Sequence, residues 1–144
     1  MHNIKLFRQT SGFCGPSSVR IILKFYGLTK TEKEIANAIG ATRKNGCAPE
    51  QIILGVKKFG LTGSYQKRVS LSSLKKIIKN SPVIIYWNRN GEGHYSVVYN
   101  VSNRVFIADP KLKRKISLPI NRFLDKWKDP NSNDYGEIIV IRQR

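Results

Sequence analysis

Cys14, His94 and Asp109 are the residues of this chain whose types and settings could carry covalent chemistry. Cys14 sits in Gln9-Thr-Ser-Gly-Phe-Cys-Gly-Pro-Ser-Ser18, directly before a Gly-Pro pair and an amphipathic helical pattern. A thiol at a helix N-terminus meets unpaired N–H groups and the positive end of the helix dipole. Both favour the thiolate, which is the attacking species in cysteine hydrolases. His94 follows a Gly-Glu-Gly loop and opens a strand-like run, while Asp109 closes another such run just before Pro110. A nucleophile, a base and a carboxylate that orients the base are the working parts of acyl transfer from an amide. Gln9, a few residues before Cys14, carries an amide that could donate to a developing oxyanion together with the Cys14 N–H.

These side chains need elements to hold them. A first helix is expected from near Gly15, with Pro16 in its first turn and Val19, Ile22, Leu23 and Tyr26 at helical spacing. Thr31-Glu-Lys-Glu34 reads as a capping box that opens a second helix, and a third should open near Pro49 and stop at Gly60. Residues 61–70 read as strand or loop, and Ser70 can cap a fourth helix carrying Leu71, Leu74, Ile77 and Ile78. Val83 to Trp87 is apolar on both faces and should be a central strand. Asn88 to Gly93 reads as a turn-rich loop, and strands follow over His94–Val101 and Arg104–Ala108. Ile120 to Trp127 suggests a short helix, and Glu137 to Ile141 a last strand. Helices come first and strands later, which points to an α+β fold in one domain over residues 1–144.

The hairpin closed by Ser102-Asn103 supplies a geometric test. A two-residue turn pairs Val101 with Arg104 and sets Ser96 opposite Asp109. Side chains alternate along a strand, so His94, Ser96 and Asp109 then share one face. A turn one residue longer would send Asp109 to the opposite face.

Composition bounds the partners. The chain carries 26 Lys+Arg against 9 Asp+Glu, a formal net charge of +17. Such a field attracts polyanions, anionic lipid or acidic peptides, although a solvated lysine-rich surface explains it as well. Nucleic acid is the less favoured partner, because it would call for exposed aromatics among the charges. Tyr95 and Tyr99 are expected to pack on helices instead, and Trp87 and Trp127 to lie in the core or at its rim. Lys111, Lys113, Arg114 and Lys115 form a basic connector just after Asp109. The two cysteines, Cys14 and Cys47, make no CxxC pair, which argues against structural zinc. Two free thiols suit a reducing compartment, with Cys47 a small packed residue near a helix start. The N-terminus lacks the apolar core of a signal peptide and no apolar run could span a bilayer, so the expectation is a cytoplasmic protein.

The three motifs Gln9-Thr-Ser-x-x-Cys-Gly-Pro-Ser-Ser18, Gly93-His-Tyr-Ser-Val-Val98 and Ile107-Ala-Asp-Pro110 together resemble the peptidase C39 family. These are papain-like cysteine peptidases, best known as leader-cleaving domains of bacteriocin-exporting ABC transporters. The resemblance spans roughly residues 5–142. It implies a papain-like fold with N-terminal helices packed on a twisted antiparallel sheet. It also implies Cys14 as nucleophile, His94 as general base and acid, Asp109 as orienting carboxylate and Gln9 as oxyanion donor. Two departures stand out. The interval from Gln9 to Cys14 is one residue shorter than usual, and Phe13 occupies a position that is often acidic or polar. Such chemistry requires no metal and no organic cofactor. The implied substrate is a peptide or protein, with an acidic one suited to the charge, and a transporter or membrane surface is a candidate partner. The alternatives are a papain-like acyltransferase using the same residues, or a non-enzymatic module that binds peptide or polyanion.

Overall fold

The computed structural model describes residues 1–144. Five helices and six strands follow the order α1 (Cys14–Phe25), α2 (Glu32–Ile39), α3 (Pro49–Val56), β1 (Leu61–Gln66), α4 (Leu71–Ile78), β2 (Val83–Arg89), β3 (Glu92–Val101), β4 (Arg104–Ala108), β5 (Ile116–Pro119), α5 (Ile120–Lys126) and β6 (Glu137–Gln143). The helix boundaries have local causes. Thr31 Oγ1 accepts the Glu34 N–H at 3.1 Å while the Glu34 carboxylate accepts the Thr31 N–H at 3.2 Å, the reciprocal box that starts α2. Ser70 Oγ accepts the Ser73 N–H at 3.1 Å and starts α4. Pro49 opens α3, where its missing N–H costs nothing, and a short 3₁₀ turn over Lys57–Phe59 carries the chain to Gly60.

All strand pairs are antiparallel, in the order β1-β6-β2-β3-β4-β5. The apolar β2 is interior, as its sequence requires. Helices cover both faces. Val19, Ile22 and Leu23 of α1, with Ile35, Ile39, Ile52 and Val56, pack on Ile84, Tyr95, Val97 and Ile139. On the opposite face Leu74 and Ile78 of α4 and Phe123 of α5 pack on Ile85, Val98, Ile107 and Ile138. Each fully buried aliphatic or aromatic side chain contributes about 1.5–3 kcal/mol, so this two-sided burial is what holds the sheet as a rigid platform. The N-terminal helices pack on a twisted antiparallel sheet as expected. The fourth and fifth helices take the reverse face.

Three local features differ from the sequence reading. Residues 88–93 do not form an open loop. Strand β2 continues to Arg89, β3 begins at Glu92, and Asn90 and Gly91 form a two-residue turn with φ of 54° and 87°. Positive φ at both central residues is the condition for the hairpin turn whose twist matches the strands, and Asn-Gly is its strongest sequence signal. Strand β5 is a short edge that follows the basic connector. It is held in part by Arg104, whose guanidinium donates to Ser117 Oγ at 2.8 Å.

The third difference concerns the β3–β4 hairpin. Val101 pairs with Val105 and not with Arg104, so the turn is one residue longer than expected. The register then shifts between Val98 and Asn100, leaving Tyr99 as an extra residue on β3. Beyond that bulge Val97 faces Ala108, the register that a two-residue turn would have produced. The longer turn and the bulge cancel. His94 and Asp109 therefore share a face after all.

Candidate active site

Cys14 is the first residue of α1. The Cβ that any other residue would add at Gly15 would lie 2.4 Å from Cys47 Sγ and 3.5 Å from the Tyr95 ring. A missing side chain at position 15 thus lets the start of α1 press against β3. The segment before α1 is fastened as well. Glu32, at the start of α2, accepts the Thr10 N–H at 2.9 Å, the Thr10 hydroxyl at 2.6 Å and the Ser17 hydroxyl at 2.6 Å. Arg43 donates to the Thr10 hydroxyl at 2.6 Å and to the Ser11 carbonyl at 2.9 Å, and its guanidinium lies 4.2 Å over the Phe13 ring. Phe13 is therefore an aromatic seat for Arg43.

His94 and Asp109 meet across the β3–β4 pair. His94 Nε2 is 2.6 Å from Asp109 Oδ1, and both residues are buried. Asp109 is fully enclosed and its acceptors are well used. Arg89 Nε donates to Oδ2 at 2.7 Å and the Lys111 N–H donates to Oδ1 at 2.9 Å. A buried carboxylate needs such partners, because an unpaired one would pick up a proton. With Nε2 engaged by Asp109, the other ring nitrogen, Nδ1, is left for Cys14, which lies near enough to His94 to raise its titration. Ser96, expected on the same face, does lie there, but its hydroxyl accepts the Trp87 indole N–H at 3.0 Å and takes no part in the cluster.

The electrostatics follow from these contacts. Burial pushes the Cys14 thiol up. The His94 hydrogen bond and charge, with the N–H groups of Tyr95 and Gly15, outweigh it and bring the thiol below its ordinary value. Burial likewise opposes the charged form of His94, but hydrogen bonds to Asp109 and Cys14 raise the imidazole to about 9. Asp109 is buried too, yet His94, the Lys111 N–H and Arg89 hold its carboxyl below the usual range. Over the pH range between the two titrations the group is a thiolate, an imidazolium and a carboxylate in sequence. Cys47 shows the contrast. Burial, reinforced by the nearby Cys14 charge, pushes its thiol up to about 12, and both cysteines are free.

Gln9 is placed differently. Its backbone N–H donates to the Pro110 carbonyl at 2.9 Å, which ties the segment before α1 to the residue after Asp109. Its side-chain amide donates to the Thr10 carbonyl at 3.2 Å, and its own oxygen is buried without a partner. The structure thus brings Cys14, His94 and Asp109 together and leaves the Gln9 amide turned toward its own segment. Sequence reasoning missed Arg89, Glu32 and Arg43. Recognition of the Asn90-Gly91 turn would have extended β2 and placed Arg89 on the Trp87 face, beside Asp109. Nothing local marks Glu32 or Arg43, because their partners are distant in sequence.

The model of the peptidase C39 family matches residues 4–130. An uncharacterized protein of Methanothermobacter marburgensis is 29% identical over 111 residues, covering 76% of this chain and 73% of that protein. Among solved structures, a double glycine motif protease from an AMS/PCAT transporter, in complex with its leader peptide, superposes with a TM-score of 0.79 at 20% identity. That match covers 99% of this chain and 94% of the other. The peptidase domain of Streptococcus ComA, a bifunctional ABC transporter of a quorum-sensing pathway, superposes with a TM-score of 0.82 at 22% identity, covering 99% and 100%.

Proposed function

This chain belongs to the peptidase C39 family, and from that membership we propose that it is a cysteine peptidase that hydrolyses a peptide bond through Cys14, His94 and Asp109. The observation that carries the reading is a buried imidazole held by a carboxylate and electrostatically paired with a thiol at a helix N-terminus. Cys14 thiolate attacks the scissile carbonyl carbon and the carbonyl π electrons move onto oxygen. The Cys14 N–H faces that oxyanion, and the Gln9 amide supplies the second donor after it turns away from the Thr10 carbonyl. The tetrahedral intermediate collapses as the C–N bond breaks, and His94 gives its proton to the leaving amine. A water then attacks the thioester while His94 takes its proton, and the acid product departs with Cys14 restored as thiolate. Asp109 stays ionised throughout and fixes the ring so that Nδ1 faces sulfur.

The substrate is a peptide, and a leader segment is one candidate, since two of the similar structures are peptidase domains of transporters. A transporter or a charged membrane surface is a fitting partner for a chain of net charge +17. No helix is long and apolar enough to cross a membrane. Two free thiols, one of them needed as a nucleophile, favour a reducing cytoplasm. Incubation with a fluorogenic peptide library, with and without a primary amine as competing acceptor, tests the reaction. Acid products that vanish in Cys14→Ala support hydrolysis. Amide products that dominate when amine is present point to acyl transfer. A library left intact by the folded wild-type protein refutes the enzymatic reading.

A further inference from the structure

Arg89 brings a positive charge to Asp109, and the peptidase reaction gives it no direct step. It closes β2 directly before the Asn90-Gly91 turn, where Asn88 Oδ1 accepts the Gly91 N–H at 2.8 Å and ties the turn back to the strand. Side chains alternate along β2, so Arg89 lies on the same face as Trp87, and Trp87 stands opposite His94. The residue opposite Arg89 itself is Glu92, an exposed acid. Arg89 nevertheless pairs with Asp109, its Nε donating to Oδ2 at 2.7 Å. That pairing sets a side chain that is 22% exposed against a carboxylate that is fully enclosed. A guanidinium keeps its charge over the pH range of enzyme action, and contact with water limits the cost of holding it there.

The charges of the site must balance at two stages. In the resting site the Cys14 thiolate, the His94 imidazolium, the Asp109 carboxylate and the Arg89 guanidinium sum to zero. Once the amine has left with the His94 proton, the sulfur is acylated and neutral, and the imidazole is neutral. The Asp109 carboxylate is then a buried charge whose imidazolium partner has gone, and such a charge draws a proton back. A proton regained by the His94–Asp109 pair at this stage would occupy the nitrogen that must accept one from water, and the acyl-enzyme would stall.

Arg89 opposes that uptake. The pair without its proton bears a net negative charge and is attracted to the guanidinium, whereas the protonated pair is neutral as a whole and gains less. The other charged groups around the pair do not replace it. The Cys14 thiolate of α1 acts in the opposite sense until it is acylated. Lys126 of α5 lines the small cavity beside Arg89 and Asp109 without an ion pair to the carboxylate, and Lys111 gives Asp109 its backbone N–H. Glu92 of β3 is exposed and screened by water.

We propose that Arg89 is the counter-charge that lets the His94–Asp109 pair part with its proton and so serve as a base when the acyl product is released. The proposal rests on the peptidase reading and assigns a further residue to it. Arg89 acts through Asp109 and does not touch the substrate.

Nitrogen-15 NMR of the histidine rings against pH tests this on the full chain without a substrate. The chain has two histidines, and His2→Gln assigns their signals. Wild-type His94 is expected to titrate at about 9. Arg89→Gln should move the midpoint up by about half a pH unit or more, and Arg89→Lys, which keeps the charge, should return it toward wild type. A merely structural role predicts the opposite sign, because a carboxylate that drifts from the ring lets the imidazole fall toward its ordinary range. Should Arg89→Gln fail to fold, Asp109→Asn/Arg89→Gln removes both charges and orphans neither, and it should titrate above Asp109→Asn alone. For a fluorogenic peptide that wild type cleaves, kcat at neutral pH should fall about threefold or more in Arg89→Gln, the factor that half a pH unit represents, with KM unchanged. A midpoint that stays or falls on loss of the Arg89 charge, or a kcat that does not change, overturns the proposal and leaves the peptidase reading standing. Wild-type His94 titrating in the ordinary imidazole range overturns the peptidase reading and the proposal with it.

Discussion

At the scale of single residues, the chemistry turns on which charges the buried groups carry. Attack requires the Cys14 thiolate and proton donation requires the His94 imidazolium, so the rate is bounded by two titrations. The acid limb belongs to Cys14, held below its ordinary value, and the alkaline limb to His94, raised to about 9. Above that limb the imidazolium loses the proton that the leaving amine needs. Asp109→Asn keeps the size of the side chain and removes its charge. The alkaline limb should then move down toward the ordinary imidazole range, and kcat/KM should fall by roughly 10²–10⁴. A pH–rate profile of the variant checks this, and an alkaline limb that stays near pH 9 would mean that Asp109 does not set the charge of His94. These three residue types were legible from sequence because each stood in a telling local setting: Gly-Pro after Cys14, a Gly-rich turn before His94, Pro110 after Asp109. Arg89, which closes the far side of Asp109, was not legible, because the Asn90-Gly91 turn was read as part of a longer loop.

At the scale of elements, the site depends on how closely α1 meets the sheet. Gly15 is helical and would tolerate alanine on conformational grounds. Packing forbids it, since the new Cβ would stand 2.4 Å from Cys47 Sγ. Gly15→Ala should displace the start of α1 and slow Cys14 alkylation by at least about tenfold. Cys47→Ala removes the obstructing sulfur, so the double variant Gly15→Ala/Cys47→Ala should recover most of that rate. Kinetics of the two single variants and the double give the coupling directly, and additive effects would show that the contact does not position the thiol. Element identity was largely legible, because caps and hydrophobic periodicity are local: the Thr31–Glu34 box and the Ser70 cap both form as read. The pairing of β3 and β4 shows what local reading misses. Turn length and the Tyr99 bulge were both overlooked, and the face of Asp109 came out right only because each shifts the register by one residue.

At the scale of the whole molecule, a sheet clad on both faces holds parts that are far apart in the chain. The nucleophile comes from the first helix, the base from β3 and the carboxylate from the residue that follows β4. No sequence pattern announces that β6 returns between β1 and β2. The net charge of +17 belongs to this scale too, and it sustains the rival account of a polyanion-binding protein without catalysis. One measurement separates the accounts most directly: the rate of iodoacetamide alkylation against pH, at Cys14 and Cys47 within the same molecule, in wild type and His94→Ala. Cys47, pushed up to about 12, is the internal standard of an inert thiol. An assembled ion pair predicts fast labelling of Cys14 below neutral pH, far ahead of Cys47, and loss of that acid-side reactivity in His94→Ala. Equal and ordinary labelling of both cysteines, unchanged by His94→Ala, would contradict it.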